Sequence, residues 1–194
     1  PPVAAVLALE QCANAGVKAV VMFTAGFAET SPEGQGLQQR LAAIAAASNI
    51  ALLGPKCLGV MSLRHKLFAT FSPAPLEGLP PSGDIALVSQ SGAFGAYGFS
   101  IARQRQVGLS HWITTGNEAV IQCADAIEWL AHDPDTRVIL AYIEGCRDGQ
   151  RLVRALGAAK QAGKPVVVCK VGRTVAGARA AMSHTASLAG ADAV

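Results

Sequence analysis

Four short apolar runs in the second half of the chain constrain its fold more than any other feature. They are Ile85-Ala86-Leu87-Val88, Ser110-His111-Trp112-Ile113-Thr114, Val138-Ile139-Leu140-Ala141-Tyr142-Ile143 and Val166-Val167-Val168-Cys169. None shows a clean apolar–polar alternation, so the strands they form are buried on both faces. Between them lie helix-forming stretches at about 92–105, 119–131 and 150–161. Asp133-Pro134 stops the second and Gly163 the third. Strand and helix repeated in this order give a parallel sheet with helices on both faces, an α/β fold of the flavodoxin-like kind.

The first 72 residues keep the α/β rhythm in a different phase. A helix over 3–15 precedes a strand over 19–23. A second helix, with Leu37, Leu41 and Ile44 on one face, precedes a strand over 50–53 that Gly54-Pro55 closes. A doubly wound domain opens on a strand and a Gly-rich phosphate loop, whereas this segment opens on a helix. Residues 1–72 therefore read as the back half of a Rossmann-like domain. Residues 73–83, with prolines at 73, 75, 80 and 81, read as a stiff linker before a domain over 84–194. Pro1-Pro2 running directly into helical sequence, without an initiator Met, reads as a cut inside a longer protein.

Composition excludes several classes. With 51% hydrophobic and 15% charged residues the chain is globular, not disordered. No apolar run approaches the roughly 20 residues of a spanning helix, so a soluble, cytoplasmic protein without membrane partners is expected. A net charge of +3 with no basic stripe argues against nucleic acid. The five cysteines are far apart and form no C-x-x-C pair, so neither a disulfide framework nor a metal site is expected.

Parallel strands share a direction, so their carboxyl ends meet on one edge, where open α/β sheets bind ligands. Those ends are Ser89-Gln90-Ser91-Gly92-Ala93, Thr115-Gly116-Asn117-Glu118, Glu144-Gly145 and Lys170-Val171-Gly172-Arg173. The small residues Ser91, Gly92 and Ala93 leave N–H groups open at a helix start, which suits phosphate. The same turn serving only as an N-cap would bind nothing. Glu144 closes a very apolar strand, a poor place for a solvated carboxylate. His184 sits among small residues in Met182–Gly190, past the fourth strand end. A lone histidine is more often a surface residue, and its case rests on the strand ends. A carboxylate beside an imidazole fixes its tautomer and raises its basicity. The pattern points to a phosphate at a helix N-terminus, His184 to carry the phosphoryl group and Glu144 to orient it. Lys170 and Arg173 add positive charge at the fourth end. His65, His111 and His132 read as structural.

These residues resemble the α part of the NDP-forming acyl-CoA synthetases, the superfamily of succinyl-CoA synthetase and ADP-forming acetate–CoA ligase. The matching motifs are Gly26-Phe27-Ala28-Glu29, Gly54-Pro55-Lys56-Cys57-Leu58-Gly59, Ser89-Gln90-Ser91-Gly92-Ala93, Gly116-Asn117, Glu144-Gly145, Gly172-Arg173-Thr174 and Ser183-His184-Thr185-Ala186-Ser187-Leu188-Ala189-Gly190. The resemblance implies a ligase that interconverts acyl-CoA, phosphate and ADP with acid, CoA and ATP through a phosphohistidine at His184. It implies CoA contacts at Gly54, Pro55, Lys56 and Cys57, and phosphate contacts at Ser91, Gly92, Ala93 and Asn117. CoA, ADP/ATP and Mg²⁺ follow as cofactors, the nucleotide on an ATP-grasp domain or β subunit. A small-molecule acid or acyl-CoA follows as substrate, and an oligomer as the assembly.

Lys56 stands where the family usually has Asn, and Ala186 replaces a Gly. The first strand of the CoA domain and the ATP-grasp part are missing, so the isolated segment is expected to be inactive. The same module also occurs as an acyl-CoA-sensing regulatory part of protein lysine acetyltransferases, where the histidine is often lost; its retention here favours the ligase. A serine hydrolase using Ser91, His184 and Glu144 lacks the G-x-S-x-G elbow, with Ser89 and Ala93 at the glycine positions. A flavin or phospho-acceptor module lacks an acidic cluster at the first strand end.

Overall fold

The computed structural model of the 194-residue chain describes residues 1–172. The first half builds helix α1 (Pro2–Asn14), strand β1 (Ala19–Val21), helix α2 (Pro32–Ser48) and strand β2 (Ala51–Leu53). Local chemistry sets the ends of α2. The Ser31 hydroxyl accepts the Gly34 N–H at 3.1 Å, Pro32 follows at the first helical position, and Asn49 turns left-handed (φ 52°) to stop it. β1 and β2 pair in parallel, Ala19 opposite Ala51 and Val21 opposite Leu53. Val6 and Leu9 of α1, Leu41 and Ala45 of α2, and Leu52 of β2 close one core with Met22 and Phe27.

Strands β3 (Gly59–Ser62) and β4 (Leu67–Thr70) come next, then a 3-10 turn (Ala74–Glu77). After it follow β5 (Ser82–Ser89), α3 (Gly92–Gln104), β6 (Leu109–Thr114), α4 (Cys123–His132), β7 (Val138–Ile143), α5 (Gly149–Gln161) and β8 (Val166–Lys170). The main sheet runs β4-β3-β6-β5-β7-β8. Its last four strands are parallel, as the apolar runs require, and give the flavodoxin-like order. Alternate residues of β5 face opposite layers. Ala86 and Val88 belong with Ile127 and Leu130 of α4 and Ala155 and Ala159 of α5. Leu87 belongs with Phe99 and Ala102 of α3. Gly95 and Gly98 bring α3 close to the sheet: a Cβ on either would stand 2.7 Å from a side-chain carbon of Thr114 or Leu87. The Trp112 indole N–H fills the same seam, donating to Gly95 O at 2.7 Å.

Two features differ from the sequence expectation. The antiparallel hairpin β3–β4 was not anticipated, and it does not respect the division drawn at 73–83. Gly59 pairs with Thr114 and Ser62 with His111, so residues before the proline-rich stretch extend the sheet formed after it. The Thr114 hydroxyl reinforces this, accepting the N–H groups of Leu58 and Gly59 at 2.8 and 2.9 Å. The second difference is the start of α4, expected near 119 and found at Cys123. The backbone N–H groups of Asn117, Ala119 and Ile121 reach across to Pro55, Gly54 and Leu52 O at 2.8, 2.9 and 3.1 Å, which holds the segment out of a helix.

Candidate functional site

Strand order reverses at β5, with β6 on one side and β7 on the other, so the crevice for a ligand lies past the ends of β5 and β7. Three side chains build the end of β5. Ser89 is fully buried and donates its hydroxyl to Ser91 O at 2.7 Å. Ser91 caps α3, accepting the Phe94 N–H at 3.3 Å. The first N–H groups of α3, at Gly92 and Ala93, belong to the turn that a helix cannot satisfy from within. A Cβ on Gly92 would lie 2.8 Å from Leu58 Cγ, so that side chain would have to shift to admit one. Gln90 points the other way and is 4% exposed.

The Gln90 amide ties the two strand ends together. Its Oε1 accepts the N–H groups of Glu144 (2.6 Å) and Gly145 (2.9 Å). Its Nε2 donates to Gly145 O (2.7 Å) and to Glu118 Oε2 (3.0 Å). Glu144, 5% exposed, thus follows β7 directly into the crevice. Lys170 also reaches this end, donating its ammonium to Glu144 O at 3.1 Å and to Val171 O.

The end of β6 is folded inward. Gly116 takes a left-handed φ of 62° and sits so close to the 54–57 loop that a Cβ would stand 2.3 Å from Pro55 O. Asn117, 2% exposed, donates its Nδ2 to Glu29 Oε2 and to Gln38 Oε1 (3.1 Å), while its Oδ1 has no partner among the described residues. Glu29 also accepts the N–H groups of Gly26 (2.7 Å) and Phe27 (3.1 Å). Burial raises the Glu29 pKa, but the hydrogen bonds from Gly26 and Asn117 outweigh it and the net shift is downward. Glu118 accepts from the Thr115 hydroxyl and the Cys123 N–H, both at 2.8 Å, besides Gln90. Complete burial pushes its pKa up against those hydrogen bonds.

Of the four residues expected to face CoA, only Lys56 is half-exposed; Gly54, Pro55 and Cys57 are buried. The Cys57 thiol donates toward Met22 O (3.5 Å) and Leu53 O (3.8 Å), and burial pushes its pKa up to about 11. The Cys57 side chain therefore faces the core, and Lys56 is the residue of these four that reaches solvent. His111 is also a wall residue. It lies edge-on to Trp129, with ring centroids 5.1 Å apart, and its Nδ1 is 3.4 Å from Asp133 Oδ2 without a hydrogen bond. Desolvation lowers its pKa in spite of that carboxylate. His65 is 2.9 Å from Asp135 on the surface.

Ser91, Gly92 and Ala93 follow β5 and Glu144 follows its parallel neighbour β7, while the Asn117 amide turns toward Glu29 and Gln38. His184 and Arg173 lie outside the described residues. Sequence reasoning gave no role to Gln90, Glu118, Glu29 or Gln38. Gln90 and Glu29 stood inside quoted motifs, but nothing in a linear motif gives the direction of an amide. Among the described residues no group of three His, Cys, Asp or Glu side chains is placed to hold a metal, and no helix is long and apolar enough to cross a membrane.

Residues 82–194 match the family described as the succinyl-CoA ligase like flavodoxin domain. The chain is 42% identical over 188 residues to the α subunit of ADP-forming acetate–CoA ligase I of Pyrococcus furiosus, covering 96% of this chain and 39% of that protein. It is 42% identical over 187 residues to the ADP-forming 4-hydroxybutyrate–CoA ligase of Nitrosopumilus maritimus, covering 95% and 26%. The solved dinucleotide-forming acetyl-coenzyme A synthetase 1 of Ca. Korarchaeum cryptofilum, in complex with phosphate and ADP, superposes with a TM-score of 0.86 at 34% identity, over 98% of this chain and 40% of that one. The chain thus spans roughly a quarter to two fifths of the relatives it matches.

Proposed function

Because the chain belongs to the succinyl-CoA-ligase-like flavodoxin family, we propose that it is part of an ADP-forming acid–CoA ligase. The observation that supports this reading is the Gln90 cross-link, which ties the strand end bearing buried Glu144 to the strand end from which α3 starts. A phosphoryl group fits there: Gly92 and Ala93 offer N–H donors at the positive end of a 13-residue helix, and Ser91 fixes that turn. Relatives named as ligases support this reading over a regulatory acyl-CoA sensor.

Three transfers follow. Phosphate oxygen attacks the thioester carbonyl, the C–S bond breaks, and CoA leaves with its thiol protonated. A neutral His184 nitrogen then attacks phosphorus in the acyl phosphate, and the carboxylate leaves as free acid. A terminal ADP oxygen finally attacks phosphorus, the P–N bond breaks, and ATP forms. Glu144 accepts the other imidazole N–H during these steps, which fixes the tautomer and stabilises the developing imidazolium. Ser91, Gly92 and Ala93 receive the phosphoryl group. Asn117 stands behind this site as a part of the loop that holds it. The loop of Gly54, Pro55, Lys56 and Cys57 borders CoA, with Lys56 as its half-exposed residue.

We assign nucleotide and Mg²⁺ to an ATP-grasp domain or β subunit, whose metal neutralises the phosphate charge when bound. The domains are read as the C-terminal part of a CoA-binding domain (1–72), a linker (73–83) and the ligase domain (84–194); β1 and β2 form a sheet of their own, and β3 and β4 extend the sheet of the ligase domain. The test is phosphorylation of the full-length protein with ATP and Mg²⁺. An acid-labile, base-stable phosphoryl group on His184 is expected. Labelling of His184→Ala as strong as wild type refutes the mechanism.

A further inference from the structure

Gln90 is a buried amide at the end of β5. All four of its amide's hydrogen bonds are accounted for, and they fix its orientation. Turning the amide over would set its NH₂ against the N–H donors of Glu144 and Gly145, and its oxygen against a carbonyl and the Glu118 carboxylate. Glu118 is held in turn by Thr115 and by the Cys123 N–H at the start of α4.

β5 and β7 do not need this side chain to pair. Their backbones already run in register from Ile85 and Val138 to Ser89 and Tyr142, and the Gln90 N–H donates to Tyr142 O at 3.1 Å. The amide acts one step further on, at Glu144 and Gly145, where the β7 ladder has ended. Lys170 holds the Glu144 carbonyl from the β8 side, and the Gln90 amide holds the Glu144 and Gly145 N–H groups from the β5 side.

We propose that Gln90 and Glu118 are positioning residues for Glu144: Glu118 orients the Gln90 amide, and the amide sets the backbone from which Glu144 reaches the phosphoryl-carrying histidine. This rests on the reading of Glu144 as the partner of His184. Neither residue touches the reacting atoms. Their effect is one of geometry, and displacements of about 1 Å at such a group cost on the order of 100-fold in rate.

The test reverses the polarity of the pair in the full-length protein with Q90E, E118Q and the double variant. Q90E keeps an acceptor for both N–H groups but faces the Glu118 carboxylate and Gly145 O. E118Q places an NH₂ against the Gln90 NH₂. The double variant restores one donor–acceptor bond between positions 90 and 118. Two quantities are measured: hydrogen exchange of the Glu144 and Gly145 amides, and the rate of His184 phosphorylation at varied ATP.

In each single variant the two amides should lose protection, and the phosphorylation rate at saturating ATP should fall about 10- to 100-fold with the KM for ATP little changed. The double variant should recover about tenfold. Wild-type rates in the single variants overturn the proposal, as does a double variant in which the two losses simply multiply. Lost protection with an unchanged rate overturns it too, since the pair would then place backbone without serving catalysis. If Q90E does not fold, Q90N carries the same arm, because its amide is one methylene too short to reach both partners. Should His184→Ala label like wild type, the phosphohistidine reading fails on its own. The exchange data then decide alone whether the pair holds Glu144 and Gly145.

Discussion

The ends of β5 and β6 look alike on paper: each is a short run of hydroxyl, amide and glycine residues after an apolar strand. Folded, they do opposite things. β5 passes through two residues, Gln90 and the cap Ser91, into α3 and leaves a helix N-terminus at its end. β6 is followed by eight residues before α4, and those residues spend their polar groups on protein. Their N–H groups go to Leu52, Gly54 and Pro55, the Asn117 amide goes to Glu29 and Gln38, and the Glu118 carboxylate is buried. A polar strand end is therefore open to a ligand only when its groups lack partners within the fold. The length of chain before the next helix decides how many they find.

Glycine substitutions at the two ends should separate most widely. At Gly116 alanine must take a positive φ and push its Cβ into the Pro55 carbonyl, a backbone atom that cannot step aside. G116A should cost roughly 2–4 kcal/mol in urea unfolding. At Gly92 the obstacle is the Leu58 side chain and φ is not positive, so G92A should cost only about 1 kcal/mol. Equal losses would remove the distinction between a packed loop and an open turn.

Asn117→Ala is next. It withdraws a donor from Glu29 and from Gln38 in a buried setting, and should lower stability by about 1–3 kcal/mol. A variant with wild-type stability and a raised KM for phosphate would instead put the amide on the ligand and bring the β6 end back into the site. Ser91→Ala should be milder. It removes one cap, worth about 1 kcal/mol, while the phosphorylation rate falls further than that stability loss explains. A rate unchanged in S91A would make the β5 turn a helix cap and no more.

This contrast also marks how far the chain could be read beforehand. The four parallel strands were legible because strands buried on both faces leave continuous apolar runs, and the positions of Ser91 and Glu144 just past strand ends were legible because they follow such runs. The β3–β4 hairpin was not. Gly59–Ser62 and Leu67–Thr70 are four residues each, and what fixes them is pairing with Thr114 to His111, about fifty residues away. The late start of α4 was hidden for the same reason, since its cause is a set of carbonyls in residues 52–55. Gln90 was visible as a letter, but its role depends on two strand ends that meet only in the folded sheet.

The last effect concerns the Glu118 carboxyl that the β6 end buries, and it is read as a slope with pH. The Glu118 pKa is raised from the usual 4.5 by burial, so above 4.5 the unfolded chain releases a proton that the folded chain keeps. Bound protons then favour the native state, and stability falls as pH rises from 4.5 through the raised folded value, by at most about 1.4 kcal/mol per pH unit. The proton has a place to go: Glu118 can donate to the Thr115 hydroxyl at 2.8 Å, which can turn its own proton toward Cys123 Sγ at 3.4 Å. E118Q carries no such proton, and its amide clash with Gln90 does not depend on pH. The stability advantage of wild type over E118Q should therefore shrink steadily from pH 5 upward in chemical denaturation. A constant difference would mean that Glu118 is ionised throughout, with three hydrogen-bond donors sufficing to hold its charge, and the β6 end would then be as ready to face an ion as the β5 end.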